Sequence, residues 1–285
     1  VPEIGKVLVN PALTDLLDYL KTVEQSMSGN REKGLEAVLE AFYRGDPATE
    51  IDRFSQAWTS SDQIKEVIVH DIHLTNLASP KPDILEKSRQ HFQAQIDLVC
   101  QLGIKYLVKH LGSHTGAGES VGLKNLSQSL DFLLEETRHT DVILLLETTA
   151  GQGANLGYIF EHIRQMIDDS KYPERLGVCF DTCHVFAAGY DLRTEDDYQR
   201  TFEEFDRVVG LDRLLAFHLN DAKSEFNSRV DRHQHIGQGN IGITPFQLLV
   251  NDPRFSAVPM IIETPKMDEM HGENLKVLKE LKGNP

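Results

Sequence analysis

The chain has 285 residues, 40% of them hydrophobic and 26% charged, with a formal net charge of −15. That length holds one large domain or two small ones with an ample core, and no apolar run nears the roughly 18 residues of a membrane span. So acidic a balance excludes a general basic nucleic-acid binder, unless bound divalent cations reverse the field locally.

The opening residues VPEIGKVLVN lack the basic and apolar regions of a secretory signal. Three cysteines, Cys100, Cys179 and Cys183, cannot all pair. Reduced thiols and no signal predict a cytoplasmic or nuclear protein.

No sharp linker divides the chain, which predicts a single domain over 1–285. From residue 64 onward one pattern recurs. An aliphatic run ends in a metal-capable residue, and amphipathic helical sequence follows. The runs are IKEVIVH (64–70), IKYLVKH (104–110), DVILLLE (141–147), LGVCFD (176–181), LLAFHLN (214–220) and VPMIIE (258–263). Near-continuous apolar runs of this kind read as parallel strands buried on both faces. Segments 84–103 and 123–139 between them carry helical periodicity, so the array is βαβ and right-handed. The runs end on or near His70, His110, Glu147, Asp181, His218 and Glu263, 34 to 45 residues apart. Six such units, with two more fitted into the first 60 or so residues, predict a (β/α)₈ TIM barrel. Neither GxGxxG nor GxxxxGK[ST] follows a strand.

A barrel places its active site at the C-terminal strand ends. One histidine there is most simply a hydrogen-bonded core residue. Six imidazoles and carboxylates converging on one rim instead pose a like-charge and desolvation problem that cations relieve. Two segments add His184, three residues beyond Asp181, and the pair Asp231 and His233, on one face of an extended stretch. The candidate ligands are then five His, two Asp and two Glu. Nitrogen and oxygen donors without thiolate suit Zn²⁺, with Mn²⁺ or Fe²⁺ as substitutes, and nine ligands with bridging carboxylates predict about three ions.

The strings VHDIHLTNLASP, KHLGSH, LETTAGQGANLG, CFDTCHVFAAGYD, FHLNDAKS, DRHQHIGQGNIG and IIETP resemble the endonuclease IV family of apurinic/apyrimidinic (AP) endonucleases, over roughly residues 62 to 265. The resemblance implies a TIM barrel with three zinc ions. Such an enzyme cleaves DNA on the 5′ side of abasic sites, leaves a 3′-hydroxyl and a 5′-deoxyribose phosphate, and clears blocked 3′ ends during base excision repair. It also implies the ligand sets: His70, His110 and Glu147; Glu147, Asp181, His218 and Glu263; His184, Asp231 and His233. Glu147, Asp181 and Glu263 become the candidate catalytic residues. His73, Leu74, Gln152, Lys223 and Arg232 become candidate substrate contacts, and the expected partner is damaged double-stranded DNA bound by a monomer. Lys109, Arg229 and Lys266 also adjoin ligands and are read either as phosphate contacts or as solvated rim charges. His114 is a candidate for orienting a ligand, while His91, His139 and His162 read as surface residues of helices. Cys179 and Cys183 read as small buried thiols outside the ligand set.

Two family signatures are missing. The opening IGKVLVNPALTDLL stands where the family has a strand like IGAHVS, and no FTKNxRQW occurs; Tyr43 and Arg44 are the nearest counterparts. HDIHL replaces the family's HDSYL, so His73 stands for an aromatic wedge beside a retained Leu74. Two other readings fit parts of the pattern. One is a metal-dependent sugar isomerase of the xylose-isomerase-like barrels, which has no use for His184 or the DRH segment. The other is a DNA- or metal-binding relative without turnover.

Overall fold

Five of the aliphatic runs form strands that end close to where their last apolar residue predicts, and the sixth forms a shorter one. The computed structural model describes residues 66–71 and 74–283. The two units expected in the first 60 residues, Tyr43, Arg44 and His73 all lie outside them.

The strands are β1 (Ile68–His70), β2 (Tyr106–His110), β3 (Ile143–Glu147), β4 (Leu176–Asp181), β5 (Leu214–His218) and β8 (Met260–Ile261), joined in that order in one parallel sheet. Helices α1 (Pro82–Gln101), α2 (Glu119–Glu136) and α3 (Phe160–Asp169) make the first three crossovers. After β4 come α4 (Thr182–Ala188) and α5 (Glu195–Val208); α6 (Thr244–Asn251) precedes β8 and α7 (Met267–Leu281) follows it. A two-stranded antiparallel hairpin, β6 (Asp221–Ala222) with β7 (His233–Gln234), interrupts the segment between β5 and α6. This curled parallel sheet backed by helices is the TIM-barrel arrangement predicted. Its last interval is the longest because it contains the hairpin.

Alternation along the strands sorts side chains into two layers. Val108, Leu145, Cys179 and Ala216 are fully buried and pack together on the inner face. Each stands two residues before a candidate ligand, so the ligands form the next layer above this floor. Leu107, Leu144, Leu146, Val178, Phe180 and Phe217 pack in the other core, under the helices. Register aligns the upper layer: His110 pairs with Glu147, and Asp181 with His218. Glu147 pairs with Cys179, the two-residue stagger a closing barrel requires.

Local signals set the helix ends. Thr194 caps α5 by accepting the Asp197 amide at 3.1 Å, and Glu195, Asp196 and Asp197 fill its positive first turn. Gly189 ends α4 at φ +110°, a left-handed conformation that glycine adopts without strain. Among the described residues, no helix is long and apolar enough to cross a membrane.

Candidate metal centre

Glu147 ends β3 fully buried, with imidazoles on both carboxylate oxygens. Its Oε2 lies 2.9 Å from His70 Nε2 and 2.8 Å from His110 Nε2. Its Oε1 lies 2.8 Å from His218 Nδ1 and 3.4 Å from His184 Nδ1. Asp181, on the adjacent strand, accepts the His184 amide on Oδ1 at 2.9 Å and so caps α4. Its other oxygen accepts the Asn220 side-chain amide at 2.7 Å. Each Asp181 oxygen keeps a free lone pair. Glu263 approaches from beyond β8, with Oε2 3.3 Å from His218 Nδ1 and its side chain 36% exposed. Beside it, Asp231 meets His184 Nε2 at 3.2 Å and His233 Nε2 at 3.4 Å.

The tautomers follow from the carbonyls. His70 Nδ1 donates to the Asp71 carbonyl at 2.7 Å, His184 Nδ1 to Thr148 at 2.8 Å, and His233 Nδ1 to Glu263 at 3.1 Å. A carbonyl only accepts, so each Nδ1 carries the hydrogen and each neutral ring presents an Nε2 lone pair. The His184 and His233 Nε2 atoms face each other at 3.4 Å, with Asp231 beside both. His70 Nε2 faces a carboxylate. Lone pairs aimed at lone pairs are repulsive unless a cation stands between them, so these donors fit divalent metal ions. The ligand atoms of Glu147, Asp181, His218 and Glu263 lie within 4.8 Å of one another, as do those of His184, Asp231 and His233, and those of His70, Glu147 and His218.

Electrostatics agree. Burial opposes ionisation of Glu147, but His110 and His218 outweigh it and hold the carboxyl well below the ordinary range. Burial likewise opposes protonation of His184 and His218. The Asp181 charge beside His184 and the Glu147 charge beside His218 drive both rings well above their ordinary value. Burial also works against the Asp231 charge, yet hydrogen bonding to His184 brings its carboxyl down to about 2. The His184 and His218 rings therefore hold protons more tightly than a free imidazole does, and a cation must compete with protons for them. Loading the apo-protein with Zn²⁺ at pH 7 is expected to release protons, with affinity rising as pH rises. Calorimetry in two buffers of different ionisation enthalpy measures that release; identical heats in both would contradict it.

The cysteines divide. Cys179 is a floor residue, and burial pushes its thiol up to about 12. The Cys183 sulfur comes within ligand distance of Asp181 and His233. However, its thiol donates to the Arg232 carbonyl at 3.6 Å, and burial pushes its pKa up. A thiol that keeps its proton is a poor ligand beside ready imidazoles.

The remaining expected residues are spread more widely. Leu74, Gln152, Lys223 and Arg232 are exposed. Gln152 Oε1 accepts the Asp231 amide at 2.9 Å, so this side chain positions a candidate ligand. Arg229, also exposed, stacks its guanidinium 4.0 Å from the Tyr158 ring centroid, and Tyr158 donates to Glu119 at 2.6 Å. Two expectations need correction. Lys109 is not a solvated rim charge or a free phosphate contact: it is buried, with its ammonium committed to Asp71. His162 is buried in α3, where Nδ1 accepts the Gly157 amide at 3.2 Å and burial lowers its pKa. His114 Nδ1 accepts the Gly116 and Gly118 amides and so shapes its own turn.

Support from Asn220, Thr148 and Thr182 escaped the sequence reading. Asn220 donates to Asp181 and accepts the Glu263 amide on Oδ1 at 2.7 Å. Thr148 Oγ1 accepts the Asp181 amide, and Thr182 Oγ1 bridges the Asn220 carbonyl and amide. Each stands within two residues of a ligand inside a recurring string, the one signal that marked them.

Fold and rim together define a metal-dependent barrel enzyme. A family model described as a xylose isomerase-like TIM barrel matches residues 26–281. A probable endonuclease 4 from Geotalea daltonii is 53% identical over 220 residues, 76% of this chain and 77% of that protein. Another, from Trichlorobacter lovleyi, is 46% identical over 281 residues, covering 93% of this chain and 99% of the relative. The crystal structure of endonuclease IV from Thermus thermophilus aligns with a TM-score of 0.71 at 31% identity, over 82% of this chain and 81% of that one. The chain belongs to the endonuclease IV family. A D-tagatose 3-epimerase-like protein, TM-score 0.60 at 20% identity over 81% of this chain and 84% of that one, shares the fold alone.

Proposed function

We propose that this chain is a zinc-dependent AP endonuclease. It hydrolyses the phosphodiester on the 5′ side of abasic sites, leaves a 3′-hydroxyl and a 5′-deoxyribose phosphate, and removes 3′-blocking groups in base excision repair. The reading includes a single catalytic domain, three zinc ions, a monomer and a cytoplasmic setting. The observation that carries it is the set of imidazoles whose Nδ1–H groups are spent on carbonyls while their Nε2 atoms converge on the carboxylates of Glu147 and Asp231.

His70, His110 and Glu147 would hold one ion, Glu147, Asp181, His218 and Glu263 a second, and His184, Asp231 and His233 a third. When bound, such ions supply Lewis acidity and an acidified water at neutral pH. The chain itself does the positioning. Glu147 stays ionised between imidazoles and spans two of the ligand sets. Asp181, held on both oxygens, fixes the spacing between β4 and the hairpin. Glu263, the carboxylate of the second set open to solvent, is placed to take a proton from an attacking water on Oε2. Lys223, Arg229 and Arg232 stand exposed near Asp231 to meet the DNA backbone, which offsets the net charge of −15 locally.

The test is incision of a duplex carrying one abasic site, with and without a strong chelator. Metal-dependent cleavage on the 5′ side is the expected result, restored by Zn²⁺ at about three ions per chain. No incision by a fully metal-loaded protein would overturn the reading. One ion per chain with epimerisation of a ketose would place the chain with the sugar-acting barrels.

A further inference from the structure

Lys109 is the one lysine among the described residues that is buried, 1% exposed, and it stands at the floor of the cleft that His70 and His110 also line. Its ammonium donates to Asp71 Oδ2 at 2.5 Å, to Thr75 Oγ1 at 2.8 Å and to the Thr75 carbonyl at 3.1 Å. All three N–H groups are thereby used. The Asp71 carboxylate also takes the Thr75 hydroxyl and, on Oδ1, the Gln95 amide of α1 at 2.8 Å. The Asp71 backbone is fixed as well, its N–H donating to the Val108 carbonyl at 2.9 Å.

A buried ion pair adds little stability over an apolar filling of the same volume, so its use here calls for a geometric reason. Thr75 supplies one. With Asp71 and Lys109 it lines a polar cleft of about 260 Å³ that His70, His110 and Asn76 share. The residue before it, Leu74, is 68% exposed, more than any other large hydrophobic among the described residues. An apolar side chain held into solvent beside a metal-ligand rim is placed to enter a base stack.

We propose that Lys109 is a positioning residue for lesion recognition: by fastening Thr75 to Asp71 it sets the reach of Leu74 into the DNA. The inference rests on the nuclease reading above. The Lys109 ammonium is committed to Asp71 and Thr75, so it acts through Leu74.

The test compares K109M, L74A and their combination on an abasic duplex. Because K109M leaves Asp71 buried and unpaired, the charge-free pair D71N/K109M is measured alongside it, also with and without L74A. The expected result is a KM raised roughly tenfold, in the range of coupling between interacting residues, with kcat and metal content held. In the L74A background the same changes should add almost nothing to KM. Effects of D71N/K109M that add fully to those of L74A, or that fall on kcat and metal content instead of KM, would overturn the proposal. Wild-type protein that fails to incise would sink the nuclease reading instead, so the two failures are distinguishable.

Discussion

Replacing Glu147 by Gln is expected to strip the rim of at least one metal ion and cut incision by about 10³-fold, the several kcal/mol that metal-based charge stabilisation supplies. The carboxylate is fully buried, and each oxygen meets two imidazoles at 2.8 to 3.4 Å. An amide removes the negative charge that balances them. It also turns one side of the group into a donor, pointed at rings that need an acceptor or a shared cation. Metal content by mass spectrometry, read beside abasic-site incision, checks both parts. A variant with full metal content and near wild-type turnover would show that Glu147 is only a buried hydrogen-bond acceptor.

The second large effect is expected at Asn220, which touches no ion. Its Nδ2 holds Asp181 at 2.7 Å and its Oδ1 takes the Glu263 amide at 2.7 Å, so one side chain joins ligands on β4 and beyond β8. Asn220→Ala frees an Asp181 oxygen to rotate and leaves the Glu263 amide without its partner. Zinc affinity should fall on the order of 10- to 100-fold, the usual consequence of losing such an orienting partner. Stability should drop by about 1–3 kcal/mol for the orphaned buried amide. Asn220→Asp should do worse, since it sets a second carboxylate against Asp181. Competition with a chromogenic chelator measures the affinity; unchanged zinc binding in both variants would remove Asn220 from the centre.

Much of this was legible in sequence because parallel strands leave a simple trace. An aliphatic run with one polar residue at its C-terminal end specifies both the strand and the side chain it delivers to the rim. The runs ending at His110, Glu147 and Asp181 show this best, since their strands stop on those residues. What stayed hidden depended on partners distant in the chain. Gln152 reaches Asp231 across 79 residues, a relation that no local pattern encodes. His162 looked like a surface residue because α3 is amphipathic, yet it sits on the buried face with Ile163 and Met166. Lys109 was misjudged through proximity to His110, although its ammonium is committed to Asp71. The hairpin strands, two residues each, are too short to show any period.

The floor of Val108, Leu145, Cys179 and Ala216 has a kinetic consequence. Among the described residues these four are fully buried and pack together, so this side of the sheet gives an ion on the rim no way down. On the proposed reading, metal on this side leaves by the upper mouth that also takes the DNA. A seated duplex then acts as a stopper, and the protein should be slowest to lose its ions when it is engaged on damage.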